Sequence, residues 1–190
     1  MAKKTIGIKN CYYAPVTIEG ESVTFSTPVR IPDLESLTAE NTYASGKNFA
    51  DNLCNIDINV LTGATLTAEF SHVSRETEAI LGGRKYSNGA MEVNSDDAQK
   101  SVAILYELVF NDGSTERIVY YNCTLVRNGN GGQTKTENIN FTGVTLSGGA
   151  ISLPDGRIML AIASDEIEED TTVKGLFDNF FTKVAELKAE

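Results

Sequence analysis

The stretch from Lys100 to Arg127, KSVAILYELVF-NDGS-TERIVYYNCTLVR, is the clearest β-hairpin signal in the chain. Apolar residues recur on both sides of a short polar break that contains Asp112-Gly113, a pair typical of tight turns between antiparallel strands. We therefore predict strands over 100–110 and 115–127, joined by a turn at 111–114. On both sides of this hairpin, the rest of the chain also favours strands.

The other strand signals share an alternation of apolar and polar residues, with Gly or Pro at the breaks. They fall at 6–18, 23–31, 34–38, 56–70, 139–152 and 157–163. No internal repeat is found, and 190 residues is a usual size for one domain, so we predict a single domain over 1–190. The expected class is mainly β (α+β), with two packed antiparallel sheets.

Two helices are predicted beside the sheets. Ser74 is a good N-cap residue, acidic side chains follow in the first turn, and Gly82 is suited to end the helix. Near the end of the chain, apolar residues recur at helical spacing from Val173 to Val184. This spacing predicts a C-terminal helix over 171–187 that docks on a sheet.

The segment 40–55 interrupts the strand pattern. It is polar, contains Gly46, and carries two aromatic residues, Tyr43 and Phe49. We interpret it as a long projecting loop or hairpin tip, because long segments without a core of their own are usually functional. Two interpretations of the aromatic rings carry equal weight: contact with another molecule, or packing beneath their own loop.

The composition is acidic, with a formal net charge of −10 and a sequence pI of about 4.6. Nucleic-acid binding requires Lys and Arg that displace counterions from phosphates, so this charge argues against it. The first residues contain no apolar signal-peptide segment, and no apolar run reaches the ~18–20 residues of a membrane span. We expect synthesis in a bacterial cytoplasm and no membrane partner.

The sequence contains no recognisable catalytic motif. His72 is the only histidine, and it has no second His or nearby Cys at metal-ligand spacing. Residues 129–136 have a faint similarity to a phosphate-binding loop, but no Gly directly precedes Lys135 and no apolar helix follows. We therefore predict that the protein is not an enzyme and has no cofactor.

The cysteines and acidic clusters do not predict a metal site either. Cys11, Cys54 and Cys123 are isolated and odd in number, which indicates reduced thiols. The acidic residues at 96–97 and 165–170 lack the alternating oxygen ligands and Gly of a calcium loop. Solvated charge is the favoured interpretation of both clusters.

Three segments, in this order and spacing, resemble the major tail protein family of siphophages and related prophages. They are Tyr43–Asn52, Leu61–Phe70 with the helix that follows at 76–82, and Phe177–Val184. The central hairpin and the strand at 138–145 also fall where the family has them, so the resemblance spans nearly the whole chain. Many relatives carry a Trp in the last segment. This chain has no Trp, and Phe180 takes that position.

The resemblance implies a tail-tube-type β-sandwich or barrel that assembles as hexameric rings stacked into a hollow tube. Strands of neighbouring subunits join in a continuous barrel, which removes exposed sheet edges. The segment 40–52 then reaches a neighbouring subunit or ring, and the N-terminal segment and 128–135 are secondary contacts. The inter-subunit contact residues implied in this way are Glu40, Tyr43, Lys47, Phe49, Asp51 and Asn52.

The function implied by the resemblance is that of a structural subunit in a long, non-contractile phage tail. Its location is the virion, and its partners are further copies of itself and the tape measure, tail terminator and baseplate proteins. Genomic DNA passes through an acidic lumen without specific binding. The alternatives are another ring-forming β-sandwich, such as a tail terminator or a secretion or tailocin tube subunit, and a monomeric ligand-binding β-sandwich.

Overall fold

The computed structural model describes residues 2–50, 53–134, 141–168 and 172–187. The strands are β1 Thr5–Glu19, β2 Ser22–Phe25, β3 Val29–Arg30, β4 Leu34–Ala50, β5 Leu53–Phe70, β6 Lys85–Ser87, β7 Ala90–Glu92, β8 Val102–Phe110, β9 Thr115–Arg127, β10 Val144–Ile151 and β11 Met159–Ala163. The helices are α1 Arg75–Gly82 and α2 Thr172–Asp178. The prediction of a mainly β fold with antiparallel sheets and two helices is confirmed.

Nine strands are hydrogen-bonded into one large sheet in the order β2-β1-β8-β9-β10-β5-β4, with β3 beside β1 and β11 beside β9. Strands β6 and β7 form a separate two-stranded sheet. The predicted central hairpin is confirmed, because β8 and β9 pair antiparallel. Among the described strands the large sheet does not close into a barrel, but it curls until Cα atoms of β1 and β4 come within 8 Å.

The central strands are buried on both faces. In β8, Ile104 and Tyr106 belong to one apolar cluster, and Ala103 and Leu105 belong to another on the opposite face. We call the first the inner face, which is enclosed by the curl of the sheet and by α1. The second is the outer face, which the C-terminal segment 172–187 covers in this region. Burial on both faces explains why the hairpin sequence reads as an almost continuous apolar run.

Helix α1 forms as predicted, one residue longer at its end. The Ser74 side chain accepts a hydrogen bond from the backbone N–H of Thr77 at 3.1 Å, as expected of an N-cap residue. Gly83, and not Gly82, ends the helix, with a φ of 66°. A Cβ on Gly83 would also lie 1.9 Å from the carbonyl oxygen of Ala98, so only Gly fits there.

The predicted C-terminal helix over 171–187 is wrong in length, because α2 ends at Asp178. Arg117 of β9 contacts the last turn of this helix. Its guanidinium lies 3.9 Å from the centre of the Phe177 ring and donates a hydrogen bond to the Phe177 carbonyl. The same carbonyl accepts the N–H of Phe180, three residues on, at 3.2 Å, whereas a continuing α-helix would use the N–H four residues on. Docking on the sheet is nevertheless as expected, since Phe180 and Val184 are buried in the outer cluster.

The prediction of a loop at 40–55 is also wrong, since β4 and β5 pair along almost their whole length. The register runs from Leu34 opposite Phe70 to Ala50 opposite Leu53. This segment has no clear apolar–polar alternation because neither face of the distal hairpin is covered. Of the two forms proposed, the hairpin tip is the one that the structure has.

A buried ion pair joins α1 to the end of β9. The Glu78 side chain is 1% exposed, and its Oε1 lies 2.6 Å from Nη1 of Arg127. Its second oxygen lies 2.8 Å from Nη1 of Arg75, whose own side chain is 47% exposed. A buried carboxylate is costly without a partner, so this pairing fixes the position of the helix on the sheet.

We predict that Arg127→Met lowers the free energy of unfolding by about 3 kcal/mol, because it removes the buried partner of Glu78. Arg75→Met is the matched control. It should cost at most about 1 kcal/mol, since the lost partner is half exposed and screened by solvent. Urea denaturation of both variants and the wild type measures the difference. Equal losses in the two variants would contradict the assignment of Arg127 as the main partner.

Candidate functional site

The distal parts of β4 and β5 project beyond the rest of the sheet. Strand β10 pairs with β5 only between Phe70 and Gly63. Beyond that point β4 and β5 continue as a two-stranded ribbon, from Tyr43 opposite Leu61 to Ala50 opposite Leu53. We call residues 43–50 and 53–61 the arm. With strands rising about 3.4 Å per residue, eight residues of β4 carry its tip about 27 Å outward.

Bulges mark both ends of the arm. The register shifts between Thr42 and Tyr43, where Thr62 is the extra residue, and again between Asn48 and Phe49. The Thr62 hydroxyl donates a hydrogen bond to the carbonyl of Thr42 at 3.0 Å, which secures the base of the arm. Because bulges increase local twist and bend strands, they give the arm its own direction relative to the sheet.

Exposed apolar side chains are concentrated on the arm. It carries six of the thirteen large apolar side chains that are exposed among the described residues. These six are Tyr43, Phe49, Leu53, Ile56, Ile58 and Val60. Single exposed apolar residues are ordinary, but a continuous group of them on one projection marks an interaction site.

The two faces of the arm differ in chemistry. Val60, Ile58 and Ile56 lie on one face, and we call them the outer strip. Their cross-strand partners are Ala44, Gly46 and Asn48, which are too small or too polar to cover them. On the other face, Nζ of Lys47 lies 3.3 Å from Oδ2 of Asp57. One face therefore carries an aliphatic strip. The other face carries the exposed aromatic rings of Tyr43 and Phe49 together with the paired charges of Lys47 and Asp57.

The register shows which face of the sheet the strip continues. Asn41 accepts a hydrogen bond from the hydroxyl of Tyr120, a residue of the inner cluster, at 3.2 Å. Tyr43 and Lys47 alternate in step with Asn41 and therefore follow the inner face. The strip lies on the opposite side and continues the outer face.

Next to the arm, the outer face of the sheet is uncovered and, apart from the exposed Ile151 at the end of β10, polar. On β4, β5 and β10 this face consists mainly of small hydroxyl side chains, and its only charged groups among the described residues are the carboxylates of Glu40 and Glu69. The Ser36 hydroxyl donates to Glu69 at 2.9 Å. We call this the hydroxyl face; its hydroxyl residues are Ser36, Thr38, Thr42, Thr65, Thr67, Thr145 and Ser147.

The six contact residues implied by the resemblance do not form one cluster. Glu40 lies on the hydroxyl face below the arm, Tyr43 lies at the base of the arm, and Phe49 lies near its tip. Lys47 is paired with Asp57, as described above. Asp51 and Asn52 lie outside the described residues. Of the secondary candidates, 128–134 is exposed, whereas most of the N-terminal segment is strand β1 within the sheet.

Sequence reasoning missed the outer strip. The sequence predicts a strand over 56–70 but does not distinguish Ile56, Ile58 and Val60 from residues that face a core. The one available signal was the opposing segment 44–48, which has no large apolar residue on either side of Gly46 and so cannot supply a covering layer. This signal can be interpreted only when the pairing of β4 with β5 is known.

No catalytic arrangement is evident in the described residues. Among them no group of three or more His, Cys, Asp or Glu side chains is placed to hold a metal ion. No helix in the described parts of the chain is long and apolar enough to cross a membrane.

The three cysteines differ in accessibility. Cys11 and Cys123 are buried, whereas Cys54 is exposed near the tip of the arm. Burial raises the pKa of the Cys11 thiol to about 12 and also raises the pKa of Cys123. Since the thiolate is the reactive form, both buried residues are protected by protonation as well as by packing.

Comparison with known proteins adds no family to these observations. No protein-family model matches the chain, and no curated protein matches it.

We predict that N-ethylmaleimide at neutral pH modifies one thiol per native chain, at Cys54, and three thiols in urea. Mass spectrometry of the intact protein and its peptides counts and locates the adducts. Cys54→Ser is the control, and it should remain unmodified in the native state. Rapid native modification of Cys11 or Cys123 would show that the sheet opens more readily than its packing indicates.

Proposed function

We propose that the protein is a structural subunit that assembles with further copies of itself. The observation that carries this proposal is the arm, where nearly half of the exposed large apolar side chains project away from the body. Each such side chain contributes about 1.5–3 kcal/mol when it becomes fully buried. A projection of this kind has a physical role only when another molecule covers it.

More particularly, we propose that it is the tail tube subunit of a long, non-contractile phage tail. The order of the three resembling segments supports this role, and so does the mainly β fold with a projecting hairpin. In that role the subunits form rings, expected to be hexameric, which stack into a hollow tube. The arm then contacts a neighbouring subunit or ring, and no catalytic residue is required.

The hydroxyl face supports the same proposal from its chemistry. DNA that moves through a tube must not adhere to the wall, and adhesion to phosphates depends on Lys and Arg. This face carries Glu40 and Glu69 and no basic side chain among the described residues. We propose that it lines the lumen, where its small hydroxyl side chains leave a smooth, non-adhesive wall.

In the proposed role the protein is located in the virion tail. Its partners are copies of itself along the tube, the tape measure protein within it, and the terminator and baseplate proteins at its two ends. Genomic DNA passes through without specific binding. These assignments depend on the tube proposal and are tested with it.

We predict that the concentrated wild-type protein forms tubes in negative-stain electron microscopy. In one variant, Asn-Gly replaces residues 43–62, so that this two-residue turn joins Thr42 to Gly63. The variant should remain a monomer with an unchanged fold. Thr42 and Gly63 are cross-strand partners, and Asn-Gly is the preferred two-residue turn, so the body of the sheet is preserved. Circular dichroism and thermal unfolding confirm that the variant is folded.

Three results would contradict the tube proposal in different ways. A wild-type protein that remains monomeric at every concentration excludes self-assembly. Rings that never stack favour the tail terminator or another ring-forming protein. Unfolding of the arm-replacement variant would show that the arm belongs to the core.

We also predict the orientation of the subunit in the tube. A cryo-EM reconstruction should place the hydroxyl face toward the lumen, with Asp and Glu as the majority of the charged side chains that line it. The reason is the need to avoid counterion-release attraction to passing DNA. A lumen lined mainly by Lys and Arg would exclude this orientation.

A further inference from the structure

A cleft on the C-terminal segment is the second unfilled apolar surface of the protein. It has a volume of about 630 Å³ and lies between α2 and residues 182–187. Leu176, Val184 and Leu187 contribute apolar side chains to its lining, and Leu187 is 53% exposed. Gly175 also lines it, and a Cβ added there would meet no atom within 4 Å. The cleft therefore has room for side chains from another molecule.

The outer strip has the shape that such a cleft accepts. Ile56, Ile58 and Val60 are about half exposed and stand along one strand, with about 6.8 Å between alternate residues. A Cβ added to Gly46, which lies opposite Ile58, would meet no atom within 4 Å, so nothing among the described residues covers the middle of the strip. The strip is a ridge of β-branched side chains with open space beside it.

We propose that the outer strip of one copy docks in the C-terminal cleft of a second copy. The inference rests on the proposed self-assembly and adds the receiving surface and the face of the arm that makes the contact. The ridge and the cleft are different parts of one chain, so the contact is head-to-tail. Such contacts extend into rings when the rotation closes and into filaments when it does not.

Charge favours a second copy as the occupant. Copies with a net charge of −10 repel one another, so they associate best where both surfaces are neutral. In the described arm the only charges are Lys47 and Asp57, which pair with each other. Among the described residues that line it, the cleft has one Lys and one Glu, Lys183 and Glu186. An anionic membrane or a nucleic acid would instead require several unpaired Lys or Arg.

Two glycine substitutions test the contact without disturbing the fold. Gly46→Glu places a charge beside the outer strip, and Gly175→Glu places one in the cleft; both side chains enter open space. Ser87→Glu adds the same charge to an exposed position of β6, which belongs to neither surface, and Gly175→Ala leaves the cleft open. Sedimentation velocity and negative-stain microscopy measure the assembly state of each protein at matched concentration.

We expect both Glu variants to sediment as monomers and both controls to assemble like the wild type. An equimolar mixture of Gly46→Glu and Gly175→Glu should form a 1:1 dimer and nothing larger. In that dimer the intact outer strip of Gly175→Glu occupies the intact cleft of Gly46→Glu. The altered strip and the altered cleft then block further growth at the two ends. Circular dichroism establishes that every variant is folded.

The failures are distinguishable. A wild-type protein that never assembles overturns the proposed function together with this inference. If the wild type assembles and Gly175→Glu does too, the cleft is not the receiving surface and is left to some other occupant, such as a small apolar ligand. Assembly of Gly46→Glu, loss of assembly in Ser87→Glu, or a mixture that stays monomeric likewise overturns the head-to-tail contact and leaves the tube proposal standing.

Discussion

Burial of β8 and β9 on both faces is the constraint on which the rest of the fold depends. An apolar hairpin of this kind needs two covering layers, and the chain supplies a different one to each face. The curled sheet and α1 enclose the inner cluster, and the C-terminal segment covers the outer cluster. Arg117 couples the second layer to the hairpin, because it stacks on the Phe177 and Phe181 rings and binds the Phe177 carbonyl.

The outer face changes character with distance from this hairpin. Over β8 and the first half of β9 it is apolar and covered; over β10, β5 and the lower part of β4 it is rich in hydroxyl groups and needs no cover. On the arm it becomes apolar again, at Ile56, Ile58 and Val60, where no layer of the same chain reaches. This last change has no explanation within a monomer, which is why self-association is the proposed function.

The sequence predicted the elements whose signals are local. The turn at Asp112-Gly113 and the cap at Ser74 act on their immediate neighbours, and both elements formed where expected. The length of α2 was not predictable, because Arg117 lies 60 residues from the Phe177 carbonyl that it binds. The outer strip was missed for a related reason: alternation identifies which residues share a face, but not whether another layer covers that face.

The separation of charge from apolar surface explains how an acidic chain can associate with itself. The segment 43–61 has one net negative charge, against −10 for the whole chain, and the arm extends about 27 Å from the body, several times the screening length of about 8 Å at physiological salt. In the proposed assembly, the first contact between two copies is therefore made by weakly charged surfaces before the like charges of the bodies come within range. Electrostatic repulsion between two copies then acts mainly through the hydroxyl face and the rest of the body. It opposes any approach in which the arm does not make the first contact. In the proposed assembly, net acidity and a weakly charged arm together favour the head-to-tail contact over unspecific aggregation.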